Sequence, residues 1–347
     1  KYIATRNKHE NWTLCVGAGI CFKILPSWNR LTVDLINTVF DYNWTESEFE
    51  EKNKNIGFSL DSWIQGCLNY HVNISNKTKE SFNKILEKVL YKDLLENAKK
   101  NNILDEIEKL FEKPNYLNEI EVNKICNFFD KEYSDTTLLQ LVKVLSEYDK
   151  IKLPQSIITF NADSLLSSLL RVYEIKYYNK NRKGFLHSPE KYVKITNPYN
   201  KWGNKIPIFH LHGTISPIPN TQKINDNRGN LIFLEDSYNE VASNIHSWAQ
   251  STFLYTAQSN KLVFLGLSMT DPNIRKWLGW TNTNNINEIN KKASQSNLSL
   301  QHLWITTKKD SESQVFLNVS MHHLGVKLAL INSWKDIGDR LKYILTK

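Results

Sequence analysis

Residues 13–19 read Thr13-Leu14-Cys15-Val16-Gly17-Ala18-Gly19, a short apolar run that leads directly into two glycines. An inner strand of a parallel sheet is buried on both faces, so its sequence is a continuous apolar run. Glycines at the end of such a strand let the backbone turn sharply and approach another group closely. The stretch therefore predicts a buried parallel strand followed by a tight turn.

Similar apolar runs recur along the rest of the chain, at residues 156–160, 206–211, 262–266, 303–306 and 326–331. Helical patterns separate several of them, for example at residues 238–255 and 273–277. Alternating strands and helices are typical of an α/β fold with a mostly parallel sheet. We therefore expect a Rossmann-like sheet of about six strands. Residues 179–204 and 217–229 are rich in polar residues, Gly and Pro, which predicts loops.

The pattern becomes helical between residues 36 and 150. Phe82, Ile85, Leu86, Val89 and Leu90 recur at the spacing of one face of a helix, and residues 103–111 and 138–145 show similar stripes. We expect residues 36–150 to form a helical insertion after the first strand–helix unit. Residues 1–35 and 151–347 would then form the domain that contains the sheet.

Composition argues against several classes of protein. The 44 Lys and Arg exceed the 36 Asp and Glu, for a net charge of +8, but they are scattered, so direct nucleic-acid binding is not expected. No apolar run approaches the ~20 residues that span a bilayer, and no secretory leader is evident, so we expect a cytoplasmic protein without membrane contact. The chain begins at Lys1 and not at Met, which is consistent with a piece of a longer protein.

The cysteines predict neither disulfides nor a zinc module. Cys15, Cys21, Cys67 and Cys126 form no Cys-x-x-Cys pair and have no His at metal-ligand spacing. This pattern favours a reducing compartment and a site without a metal.

Two motifs lie at the ends of the first two predicted strands. Gly17-Ala18-Gly19 suits a turn that approaches a pyrophosphate, although Phe22 replaces the third glycine of the usual dinucleotide motif, and any tight turn has the same need. Asn161 and Asp163 lie where open α/β sheets place ligand contacts. Both are also good helix caps, and that interpretation is the stronger one for this motif alone.

Two further motifs follow the next strands. His212 ends a predicted strand just before Gly213 and can act as a base near neutral pH, although such a His more often has a structural role. His210 could pair with it on a metal, but no third ligand is evident. Gly266 permits close backbone approach, and Ser268 offers a hydroxyl to a ribose or phosphate.

In this order the motifs resemble those of the sirtuin superfamily, over residues 12–31 and 151–347 but not over the helical insertion. The chain is most similar to sirtuin-like NAD-hydrolysing effectors of bacterial anti-phage defence. The residues that carry this closer similarity are Gly266-Leu267-Ser268-Met269-Thr270-Asp271-Pro272-Asn273 and Leu25-Pro26-Ser27-Trp28-Asn29-Arg30-Leu31. Deacylating sirtuins differ from this chain, because they carry a four-cysteine zinc module and have Gln where this chain has Phe160, and a Ser is usual at Cys21.

The resemblance implies a Rossmann-like fold that takes NAD as its substrate, with no metal. It implies that Asn161 and His212 are catalytic and that Asp163 holds the nicotinamide carboxamide. The remaining NAD contacts would come from Gly17, Ala18, Gly19, Gly266, Ser268 and the turn after Thr306.

The expected activity is hydrolysis of the nicotinamide–ribose bond. Two alternatives stay open: an NAD-dependent deacylase or ADP-ribosyl transferase, and a non-catalytic module that senses NAD or ADP-ribose. The resemblance also implies control by a homo-oligomer, a sensor domain or a partner protein.

Overall fold

A computed structural model describes residues 11–147, 152–186, 188–217, 231–244, 247–292 and 302–346. Within these residues the chain forms one sheet of seven strands, and every strand pair in it is parallel. The strands are β1 (Trp12–Val16), β2 (Ser156–Thr159), β3 (Tyr192–Ile195), β4 (Ile206–His210), β5 (Lys261–Leu265), β6 (His302–Thr307) and β7 (Val326–Ile331). The predicted α/β fold with a parallel sheet is confirmed.

The strand that was not predicted is β3. It lies inside residues 179–204, so the loop predicted there is wrong over these four residues. β3 is an edge strand beside β4, and Lys194 is exposed. A short edge strand flanked by Lys, Asn and Gly lacks the apolar run that identifies a buried strand. The predicted loop at residues 217–229 lies outside the described residues, apart from Pro217.

The strand order is β3-β4-β2-β1-β5-β6-β7. The first strand of the chain is therefore at the centre, with β2 on one side and β5 on the other. Open α/β sheets bind ligands outside the carboxyl ends of the strands, at the point where the strand order reverses. That point lies at the end of β1.

Helices cover both faces of the sheet. Their bounds are α1 (Trp28–Phe40), α2 (Glu46–Ile56), α3 (Leu60–Asn69), α4 (Lys79–Lys100), α5 (Leu104–Glu112), α6 (Glu119–Glu132), α7 (Thr137–Glu147), α8 (Leu165–Asn179), α9 (Glu235–Ser243), α10 (Trp248–Ser259), α11 (Pro272–Lys292), α12 (Ser311–His322) and α13 (Ile337–Thr346). In the part of the chain that the structure describes, none of these helices is long and apolar enough to cross a membrane.

The single helix predicted over residues 238–255 is wrong in its length, because two helices, α9 and α10, occupy this region. Ser247 directly precedes the second of them and caps it, because its hydroxyl accepts the N–H of Gln250. A side-chain cap of this kind satisfies one of the free N–H groups of the first turn. The apolar pattern continues across the break, which is why the sequence predicts one helix.

The sheet separates two hydrophobic layers, because successive side chains of a strand point to opposite faces. Leu14 and Val16 of β1 pack with helices α1–α8, whereas Cys15 lies in a second cluster with Phe253 of α10 and Trp277 of α11. Helices α2–α7, called here the helical segment, therefore share one buried cluster with a face of the sheet. The division of the chain at residues 35 and 150 stays a prediction.

Candidate functional site

The strand register brings four strand ends side by side. Val16 pairs with Thr159 on one side and with Leu265 on the other, and Thr159 pairs with His210. Each of these residues lies at or next to the end of its strand, so the chain leaves the sheet at one edge. The candidate residues that follow at this edge are Gly17, Ala18, Gly19, Asn161, Asp163, His212, Gly266 and Ser268.

Two glycine turns pack against each other at this edge. The N–H of Gly17 donates to the Leu265 carbonyl at 3.1 Å, and that of Gly19 donates to the Gly266 carbonyl at 2.9 Å. A Cβ on Gly19 would lie 2.8 Å from the Gly266 oxygen, and Gly266 has a φ of +67°. The contact between the turns therefore requires glycine at both positions.

This packing limits which N–H groups of the glycine turn could contact a pyrophosphate. The N–H groups of Gly17 and Gly19 already have carbonyl partners, and a short turn of 3₁₀ helix over Ala18–Cys21 follows. The first α-helix begins only at Trp28, so its N-terminus does not directly follow the glycines. Ala18 is exposed at the tip of the turn. The tight-turn interpretation accounts for Gly17 and Gly19, and the phosphate contact stays a prediction that falls mainly on Ala18.

Cys21 joins two of the candidate residues. Its Sγ donates to Oδ2 of Asp163 at 3.5 Å, and Nδ2 of Asn161 donates to the same sulfur at 3.7 Å. The backbone N–H of Asn161 donates to Oγ1 of Thr159. The amide oxygen Oδ1 of Asn161 is buried and has no hydrogen-bond partner among the described residues. The site therefore presents a fixed amide whose acceptor atom is unused.

Asp163 is a buried carboxyl group with an unusual pKa. Burial raises its pKa to about 6, partly opposed by the N–H of Leu165 and the thiol of Cys21. Its Oδ1 accepts the N–H of Leu165, the first residue of α8, at 3.0 Å. Asp163 therefore caps this helix, as one of the two interpretations of the motif predicts. An ionised carboxylate has about four acceptor positions, so the cap leaves capacity for a ligand.

His212 lies in an aromatic environment. Its ring packs edge-on against Phe160, with centroids 5.4 Å apart, and against Tyr238 of α9 at 5.5 Å. Burial lowers the pKa of His212 to about 4, and the nearby carboxylate of Asp271 opposes this shift. The imidazole is therefore neutral at pH 7 and able to accept a proton.

His210 does not share these neighbours. It is fully buried and lies beside the backbone of Asn161. Burial lowers its pKa to about 3, and the charge of Lys194 adds to this shift. Across the described ranges, no group of three or more His, Cys, Asp and Glu is placed to hold a metal ion.

Ser268 lies in the turn after β5. Its side chain is exposed, and its Oγ is 2.6 Å from Oγ1 of Thr270. Among the described residues, the hydrogen bonds of the Ser268 side chain are to Thr270 and join it to neither Asn161 nor His212. In the same turn Asp271 caps α11, because its Oδ1 accepts the N–H groups of Asn273 and Ile274. The charge of the Asp271 carboxylate also acts on His212, whose pKa it raises.

Sequence reasoning singled out Cys21 only as a departure from a family pattern, and it missed Tyr238. The neighbours of Cys21 are 140 and 142 residues away along the chain. Tyr238 lies in a predicted helix, where a Tyr in an apolar stripe gives no sign that it faces a site. Only the assembled sheet brings these side chains to the strand ends.

These observations define an α/β protein with a Rossmann-like parallel sheet and a cluster of polar side chains at its carboxyl edge. Residues 155–321, just under half of the chain, match the family profile of the SIR2-like domain, and the matched part begins just before β2 and ends within α12. The resemblance to the sirtuin superfamily is thereby confirmed. SIR2-like domains use NAD, and the chain is consistent with an NAD-utilising enzyme. Comparison with curated proteins gave no match.

Proposed function

We propose that this chain hydrolyses NAD at the bond between nicotinamide and ribose, releasing nicotinamide and ADP-ribose. The observation that carries the proposal is the unpartnered, buried Oδ1 of Asn161, at a strand end where the preceding residue, Phe160, packs against the neutral His212. Leaving a buried acceptor unsatisfied costs roughly 1–3 kcal/mol. A ligand hydroxyl or an attacking water that donates to this atom would remove that cost.

The chemistry needs no group beyond these side chains and water. The bond from C1′ to the nicotinamide nitrogen breaks, and its electron pair neutralises the positive pyridinium. Water adds to the resulting oxocarbenium-like C1′ and loses a proton. Asn161 would hold the water or the ribose hydroxyls through Oδ1, so that the oxygen lies close to C1′.

His212 would accept the proton. The oxonium formed when water adds to C1′ is a far stronger acid than imidazolium, so a base with a pKa of about 4 is sufficient. The rings of Phe160 and Tyr238 pack edge-on against the imidazole, which restricts its orientation and brings no charge to it.

Asp163 would bind the leaving group. Its carboxylate is mostly ionised at pH 7, because its pKa is about 6, and it can accept a hydrogen bond from the nicotinamide carboxamide. The exposed tip at Ala18 and the turn that contains Ser268 would contact the phosphates and the adenosine side. Gly17, Gly19 and Gly266 would set the distance between these two turns.

Hydrolysis of NAD without control would deplete the cell of NAD, so we propose that the enzyme is regulated. The similarity to anti-phage effectors supports a defence role in which a sensor partner or a homo-oligomer holds the activity back. The SIR2-like match supports NAD use in general.

The first experiment mixes the purified chain with NAD and follows nicotinamide and ADP-ribose by chromatography, with and without candidate activators. Release of both products without a peptide is the expected result. Nicotinamide release that requires an acylated peptide would instead assign a deacylase. Clear NAD binding without turnover under every condition would favour a sensing module.

Matched variants decide the residue roles. Asn161→Ala and His212→Ala should each abolish turnover and leave the fold intact. Asn260→Ala and His302→Ala are the controls. Both residues are buried, but Asn260 directly precedes β5 and His302 begins β6, so both lie at the opposite edge of the sheet. Turnover retained by a folded Asn161→Ala, His212→Ala double variant would refute the assignment.

A further inference from the structure

One side chain of the helical segment reaches the candidate site. Tyr91 of α4 is fully buried, with 0% of its surface exposed. Its hydroxyl donates to the Ile215 carbonyl at 2.7 Å and accepts the N–H of Ser164 at 3.1 Å. One hydroxyl therefore holds two backbone groups that are far apart in sequence.

These two backbone groups belong to the two loops that carry the site. Ser164 directly follows Asp163 after β2, and Ile215 lies three residues beyond His212 after β4. The loops also touch each other, since the N–H of Ile215 donates to the Ala162 carbonyl at 2.6 Å. Tyr91 lies across this junction and contacts both sides of it.

The helical segment fixes the position of the Tyr91 ring. The ring packs edge-on against Phe111 of α5, with centroids 5.5 Å apart and planes at 69°. Burial raises the pKa of Tyr91 well above 10, and the charge of Asp163 adds to this shift. The hydroxyl therefore keeps its proton and remains a donor to Ile215.

We propose that Tyr91 is a positioning residue through which the helical segment holds the Asp163 loop and the His212 loop in one fixed arrangement. A displacement of α4 would then move both loops together. The structural part of this inference stands on the hydrogen bonds alone. Its kinetic consequence rests on the proposed NAD hydrolysis.

The test compares Tyr91→Phe with Tyr173→Phe by hydrogen exchange and mass spectrometry of the whole chain. Tyr173 is the control because it is equally buried, but its hydroxyl contacts Asp130 and the Cys126 carbonyl and neither of the two loops. Tyr91→Phe should speed amide exchange about tenfold in residues 160–166 and in residues 211–217, since hydrogen bonds to both are lost. The control should leave both segments unchanged.

The kinetic arm separates positioning from general destabilisation. Tyr91→Phe should lower kcat by roughly 10-fold to 100-fold with KM nearly unchanged, because the reacting groups lose their alignment while the NAD contacts remain. Tyr173→Phe should change neither constant. If the wild type does not consume NAD, the proposed function fails, yet the exchange experiment still decides the role of Tyr91.

Phe111→Leu is the second variant if Tyr91→Phe does not fold. It loosens the Tyr91 ring and keeps the hydroxyl, so both loop segments should again exchange faster than in the wild type. Unchanged exchange in either segment, in whichever of these variants folds, would overturn the proposal, because the hydroxyl would then not hold the two loops together.

Discussion

Replacing Asp163 by Asn should stabilise the protein at alkaline pH, even if it removes activity. Burial raises the pKa of this carboxyl from 3.8 to about 6, so its ionised form is less favourable in the folded chain. A group with a raised folded pKa contributes stability below pH 3.8 and loses it as the pH rises through 6. The full difference is about 3 kcal/mol, and about 1.4 kcal/mol of it falls between pH 5 and pH 8.

The assay is urea unfolding of the wild type and of Asp163→Asn at pH 5, 6, 7 and 8. The advantage of the variant over the wild type should be about 1.4 kcal/mol larger at pH 8 than at pH 5. Asp135→Asn is the matched control, because Lys23 holds the pKa of this exposed carboxyl below its ordinary value. Its effect should not change within this pH range.

A difference that stays constant within ~0.5 kcal/mol from pH 5 to pH 8 would refute the reasoning, because Asp163 would then not titrate in this range. The same group has a kinetic signature. If its carboxylate binds the nicotinamide carboxamide, kcat/KM should fall as the pH drops through about 6.

Three further predictions concern the glycine turn, Cys21 and NAD itself. Gly266→Ala should lower the free energy of unfolding by more than Gly57→Ala does. Both glycines have a positive φ, but only at Gly266 would a Cβ clash, since it would lie 2.6 Å from the Ile20 nitrogen. Equal losses in urea unfolding would contradict the close packing of the two turns. Cys21→Ala removes a donor that lowers the pKa of Asp163, so the acid limb of kcat/KM should move to higher pH, and an unmoved limb would argue against this contact. NAD at 100 times its Kd should stabilise the fold by about 2.7 kcal/mol, seen as a higher Tm, whereas an unchanged Tm would count against NAD binding.

The inner part of the sheet is predictable from sequence, because the cause of each element is local. The runs at Thr13–Val16 and Leu262–Leu265 are apolar on both faces, as two-sided burial requires, and the structure places them as neighbouring central strands. The prediction of a loop at β3 is wrong because the cause of this strand is not local. Tyr192–Ile195 is stabilised by pairing with β4, which depends on residues that follow it in the chain.

The candidate site shows the same division. The positions of Asn161 and His212 at strand ends follow from the motifs, because strand ends in a parallel sheet meet at one edge. The residues that surround Asn161 and His212 cannot be predicted from the motifs. Cys21 contacts Asn161 across 140 residues of chain, and Tyr91 reaches Ile215 across 124. No local pattern encodes such contacts, so the roles of Cys21 and Tyr91 emerge only from the folded chain.

The central place of β1 in the sheet has a consequence for biosynthesis. β1 leaves the ribosome before both of its partners, β2 and β5, and Leu265 follows its partner Val16 about 250 residues later. At ~5–20 residues per second, β1 waits on the order of ten seconds or more for its second neighbour. During that time one edge of an apolar strand has no partner, and the helices of the helical segment, which share its buried cluster, are the part of the nascent chain able to cover it. Truncated chains that end before β5 should therefore depend on chaperones to stay in solution.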